Sequence, residues 1–78
     1  MNREILELTY MRDAVSTGAA RQLRIDAGLT LAEIGRAVGV TPSCVHYWER
    51  GRVPRGKAAV RYARLLLDLK CLKTALEK

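Results

Sequence analysis

Between Thr30 and Gly51 the chain marks the start and the stop of a helix twice within 22 residues. "TLAE" at 30–33 has the form of a capping box, in which a Thr hydroxyl accepts from the amide three residues on and a Glu reaches back. Gly39 ends that run after about two turns, being the residue that most easily takes the left-handed backbone needed there. Thr41 then supplies a second N-cap, followed by Pro42 at the first helical position, where a missing N–H costs nothing. Gly51 closes the second helix. Two short helices with a tight turn between them can hide their apolar sides only against each other and further helices.

The rest of the chain supplies such helices. Residues 3–15 put Ile5, Leu8, Met11 or Arg12, and Val15 at helical spacing, predicting an N-terminal helix. Ser16 and Thr17 interrupt that pattern and are expected to cap a second helix, with Ala20, Leu23, Arg24 and Ala27 on one face and Gly28 just past its end. A last helix is expected over about 56–76, where Leu65, Leu69, Leu72 and Leu76 recur at spacings of 4, 3 and 4. That stripe reads either as ordinary core against Ile5, Leu8 and Val15 or as the seam of a homodimer. Strand signals are nearly absent. The reading is one all-α domain over 1–78, with five helices and short connections.

Inside the capped pair, Leu31, Ile34 and Val38 point inward from the first helix, and Val45 and Trp48 from the second, with Cys44 beside them. Ala32, Gly35 and Ala37 are small enough to let the helices cross closely, and Val40 plugs the turn. On a helix beginning at Pro42, positions 43, 46, 47 and 50 form a stripe on the side away from Val45 and Trp48. Ser43, His46, Tyr47 and Arg50 therefore face outward.

Charge adds to this. The formal net charge is +6, and its excess is local. Residues 21–64 hold nine basic groups against Asp26, Glu33 and Glu49, while residues 1–20 are net acidic. A confined basic excess is the footprint expected of a partner carrying phosphates, and on charge alone it reads equally as a solubilising surface. No apolar run approaches the length of a membrane span or a signal peptide, which, with two Cys, leads to the expectation of reduced thiols and a cytoplasmic location. Catalysis is not expected. Cys44 and His46, two apart on a helix, point some 200° away from each other, out of hydrogen-bond reach. One His and two distant Cys make no metal set, and no cofactor or small-molecule ligand is evident.

The segment "LTLAEIGRAVGVTPSCVHYWERGRVP" resembles the Cro and phage-repressor type of helix-turn-helix, of the xenobiotic-response-element class. The likeness covers about residues 17–67 and rests on Leu29–Thr30, Ala32–Glu33–Ile34, Val38–Gly39, and Val45, Trp48, Glu49 and Gly51 in register; residues 1–15 are an addition. It implies a five-helix lambda-repressor-like fold whose helix-turn-helix spans about 30–51, and double-stranded DNA as partner, with the second helix of the unit in the major groove. Ser43, His46 and Tyr47 would then meet base edges, and Thr30, Thr41, Arg50, Arg52, Arg55 and Lys57 the phosphates. Arg24 falls where the family pairs an Arg with the Glu at position 49. Pro42 and Ser43 stand where glutamines are frequent, so the usual two-bond contacts to A or G are missing there. The expected function is transcription regulation by a Cro-like repressor of phage or prokaryotic type, acting in the host's cytoplasm if the chain is phage-encoded. The rivals are a protein-interaction module, such as an antitoxin or phage accessory factor, and a directional-recombination factor.

Overall fold

The computed structural model describes residues 2–77, and they form five helices. These are α1 (Arg3–Thr17), α2 (Ala19–Asp26), α3 (Leu31–Val38), α4 (Pro42–Glu49) and α5 (Gly56–Leu76), with no strand among the described residues. The architecture is all-α. None of these helices is long and apolar enough to cross a membrane.

Each boundary has a local cause. Asn2 Oδ1 accepts the Glu4 amide at 2.8 Å and starts α1. Thr30 and Glu33 form the reciprocal box at 3.0 and 2.9 Å, and Thr41 Oγ1 accepts the Cys44 amide at 3.2 Å ahead of Pro42. α2 and α4 end in the same way. Gly28 and Gly51 take positive φ, their amides bond back to Ile25 and Trp48, and the next amides, of Leu29 and Arg52, bond to Arg24 and Tyr47. This is the Schellman closure, and it turns the chain sharply without leaving carbonyls orphaned.

The expected cap at the start of α2 is corrected. Ser16 and Thr17 belong to the last turn of α1, where both hydroxyls donate to the Asp13 carbonyl at 3.0 Å. Left-handed Gly18 makes the break and stands at the N-cap, and the side-chain bond at the start of α2 is a long one, from the Ala19 amide to Thr17 Oγ1 at 3.4 Å. A Thr or Ser hydroxyl bonding back to the preceding turn satisfies itself inside a helix and so need not end one.

The core is Met11, Ala14 and Val15 of α1, Ala20 and Leu23 of α2, Ile34 and Val38 of α3, Val45 and Trp48 of α4, and Ala59, Tyr62, Ala63 and Leu66 of α5. Helix α5 is the common floor, with α1, α2 and α3 all packed on it. Trp48 and Tyr62 meet at 4.7 Å between ring centroids. Burial and the nearby Glu49 carboxylate push the Tyr62 hydroxyl far above its ordinary pKa, so it stays neutral.

Three expectations about packing change. Ile5 is 60% exposed, because α1 meets its neighbours through Leu8, Met11, Ala14 and Val15 further along. Of the small residues in α3, only Gly35 is buried; Ala32 is half-buried and Ala37 exposed. A Cβ on Gly35 would stand 2.6 Å from the Val40 carbonyl oxygen, so the turn into α4 needs a glycine at that one place. The leucine stripe of α5 splits along its length. Leu65 and Leu69 pack against the core, while Leu72 and Leu76 are exposed, and the fully inward face is the one through Tyr62 and Leu66.

Candidate nucleic-acid interface

Helix α4 is short and presents two unlike sides. Val45 and Trp48 are buried and Cys44 is half-buried on the inner side. Ser43, Tyr47 and Arg50 are exposed on the outer one. Tyr47 is the centre of the outer side, large and half in solvent at 52% exposure.

The outer stripe divides around Tyr47. His46 and Arg50 turn toward α2 and the start of α3, into a hollow shared with Arg21, Arg24, Leu31 and Glu49. There Arg50 Nε–H donates to His46 Nε2 at 3.1 Å. On the other flank the connector from Gly51 to Arg55 passes beside Val40, Cys44 and Trp48, carrying Arg52 and Arg55. Buried Pro54 anchors this connector, and the Arg52 guanidinium lies 5.3 Å from the Tyr47 ring centroid. Arg55 then precedes α5 as its N-cap residue, with Lys57 in the first turn.

One buried contact fixes how α4 is presented. Arg24 Nε and Nη2 donate to Glu49 Oε2 and Oε1 at 2.6 and 3.0 Å, and Nη1 donates to the Leu29 carbonyl at 3.0 Å. A planar guanidinium has the donors for all three at once. It ties the end of α4 to α2 and to the residue just before the Thr30 cap. The hydrogen bonds to Glu49 raise the Arg24 pKa further, so its guanidinium stays charged.

The free cations follow a pattern. Arg24 pairs with Glu49, Arg64 with Glu7 at 3.3 Å and Lys73 with Asp26 at 2.7 Å. Arg61 leans on the Val38 carbonyl at 3.5 Å and so closes the end of α3. Among the described residues Arg21, Arg50, Arg52, Arg55 and Lys57 are exposed and form no ion pair, as is true also of Arg3, Arg12, Arg36 and Lys70 elsewhere on the surface. Arg21 and Arg50 lie on one flank of α4 and Arg52 and Arg55 on the other, while Lys57 lines a hollow with Glu4, Leu8 and Arg12 of α1. Two N-caps, Thr30 and Thr41, are also exposed, at helix starts where backbone amides favour an anion.

Arg21 is the residue that sequence reasoning passed over. Its signal was the i,i+3 spacing to Arg24, which sets both on one face of α2. Once Arg24 is drawn to Glu49, Arg21 must lie beside the outer end of α4.

A family model described as a helix-turn-helix domain matches residues 18–67, which is α2 through the first half of α5 and leaves α1 outside. No curated protein and no solved structure matched the chain.

Proposed function

We infer from one premise, that this chain belongs to the helix-turn-helix domain family of DNA-binding proteins, that it is a sequence-specific binder of double-stranded DNA and a Cro-like transcriptional repressor of phage or prokaryotic type. Helix α4 enters the major groove. Ser43, His46 and Tyr47 meet base edges, and Thr30, Thr41, Arg50, Arg52, Arg55 and Lys57 grip the phosphates, with Arg21 added to them. Repression follows from occupying a promoter.

The observation that carries this reading is the bracket of unpaired cations around α4, given a helix whose inner side is buried and whose outer side ends in a half-exposed Tyr47. A docking module for a protein would need an acidic partner to match the unpaired positive charges around α4. A single helix reads few base pairs, so two copies on half-sites about 34 Å apart give the specificity that repression needs. The exposed Leu72 and Leu76 beside Leu23 and Leu69 offer the apolar contact for a homodimer.

Selection of bound duplexes from random DNA, followed by a salt titration of the winner, tests the reading. A defined motif is expected, with log affinity falling by about 0.9 per neutralised phosphate for each unit of log salt. Weak binding with no enriched sequence would leave the docking module as the better account.

A further inference from the structure

The outer face of α4 is joined side to side. Arg50 Nε–H donates to His46 Nε2 at 3.1 Å. The His46 ring meets Tyr47 edge-on, 5.7 Å between centroids at 64°. The Arg52 guanidinium lies 5.3 Å from the Tyr47 centroid on the far flank. A cation over a tyrosine face is attracted to it, so Tyr47 is held from both sides.

The first of these contacts fixes a proton. A ring nitrogen that accepts a hydrogen bond carries no hydrogen, so the bond from Arg50 requires a neutral imidazole with its proton on Nδ1. Among the described residues no other hydrogen bond engages His46, which leaves Nδ1–H as the free donor of the ring. We propose that His46 reads a base through Nδ1–H, and that Arg50 is the positioning residue that fixes this tautomer. This rests on the DNA-binding reading above. The ligand group is a hydrogen-bond acceptor on the major-groove edge, namely a purine N7, guanine O6 or thymine O4, and the cytosine amine is refused.

The groups facing His46 are Arg21 and Arg24 from α2, Leu31 from α3, and Glu49 and Arg50 from α4. Glu49 is committed to Arg24, and the others offer no side-chain acceptor, so Nδ1–H is left for a group from outside the chain.

The experiment compares affinities for the selected duplex and a scrambled one in the unsubstituted protein and in variants. His46→Ala is expected to lower their ratio about 3- to 10-fold, the worth of one hydrogen bond. His46→Asn sets an amide N–H near the Nδ1 position and should restore most of the base preference. His46→Gln sets its amide near Nε2 instead and should lose the preference. Arg50→Lys keeps the charge but not the planar donor, so discrimination should fall with the salt slope unchanged. An unchanged ratio in His46→Ala, or Gln keeping the preference that Asn loses, overturns the proposal while leaving DNA binding intact. Unchanged discrimination in Arg50→Lys overturns the positioning role. Failure to bind either duplex overturns the DNA-binding reading itself, and this one with it.

Discussion

The unit from Thr30 to Gly51 and the second half of α5 are both helical, yet only the first has its every end tied. In the unit, two hydroxyl caps, a Schellman glycine and a bidentate ion pair determine where each helix starts, stops and points. In α5, the last fully buried residue is Leu66 and the last packed against the core is Leu69, and the helix runs on to Leu76, which is 77% exposed. The contrast separates two sources of order. One half of the molecule is fixed by polar groups that must be satisfied in one geometry. The other keeps its shape as a helix while its last apolar residues, Leu72 and Leu76, stay exposed.

The sharpest way to break the contrast is to remove the ion pair. The Glu49 side chain is 4% exposed and that of Arg24 15%, so Glu49→Ala strands a guanidinium with little water to replace the carboxylate. Removing one partner of a buried pair costs about 3–5 kcal/mol. Urea unfolding should register that loss, a large share of the stability of so small a chain. A loss under about 1 kcal/mol would mean that packing alone orients α4. Next in size is Gly35→Ala. Its Cβ would meet the Val40 carbonyl at 2.6 Å, and backbone cannot swing aside as a side-chain tip can. Overpacking of this kind costs about 1–3 kcal/mol. Ala37→Ser, two residues on and exposed, should leave the same unfolding curve in place.

The two regions also differ in how legible they were. The caps at Thr30 and Thr41 and the turns at Gly28, Gly39 and Gly51 could be read because each depends on a few adjacent residues of distinctive chemistry. The face of α5 could not. Leucines at 65, 69, 72 and 76 make the most regular apolar stripe, but burial is decided by what lies across the helix, and Leu72 and Leu76 stay exposed although α1, α2 and α3 all pack on α5. There the inward residues are Ala59, Tyr62, Ala63 and Leu66, two of them small and one carrying a hydroxyl, so they do not announce a core by hydrophobicity. Ile5 was misjudged for the same reason. At the site, the outward set on α4 followed from helical spacing alone. Its division around Tyr47 did not, because that depends on where Arg21 and the Arg52 connector come to lie.

A smaller effect tests the cap on α3. Thr30→Ala removes the hydroxyl that accepts the Glu33 amide, a loss of about 1 kcal/mol. Glu33 reports the other half of the box. The Thr30 amide, and then its hydroxyl, hold the Glu33 carboxyl below its ordinary 4.5. A group whose pKa is depressed on folding stabilises the fold above its unfolded pKa, and that contribution fades as pH falls through the folded value. The stability difference between the unsubstituted protein and Glu33→Gln should therefore be constant from pH 7 down to about 4.5 and shrink below it. Thermal melts across that range measure it. A difference that persists at pH 2–3 would point to packing by the Glu33 stem instead of the carboxylate.

The smallest expected change in folding is at the other end of the contrast. Leu72 is 52% exposed and Leu76 77%, and the groove they line with Leu23 and Leu69 is open to solvent. Replacing both by Gln should alter the unfolding free energy by no more than about 0.5 kcal/mol each, the range of ordinary surface changes. If two copies associate there, the same variant should sediment as a monomer at concentrations where the unsubstituted chain self-associates, and it should bind a two-half-site duplex with less cooperativity. Single half-site affinity should be unchanged, since α4 and its cations lie outside the groove. A fully buried leucine is worth about 1.5–3 kcal/mol, so a loss of that size would make the tail part of the core and erase the difference between the two regions.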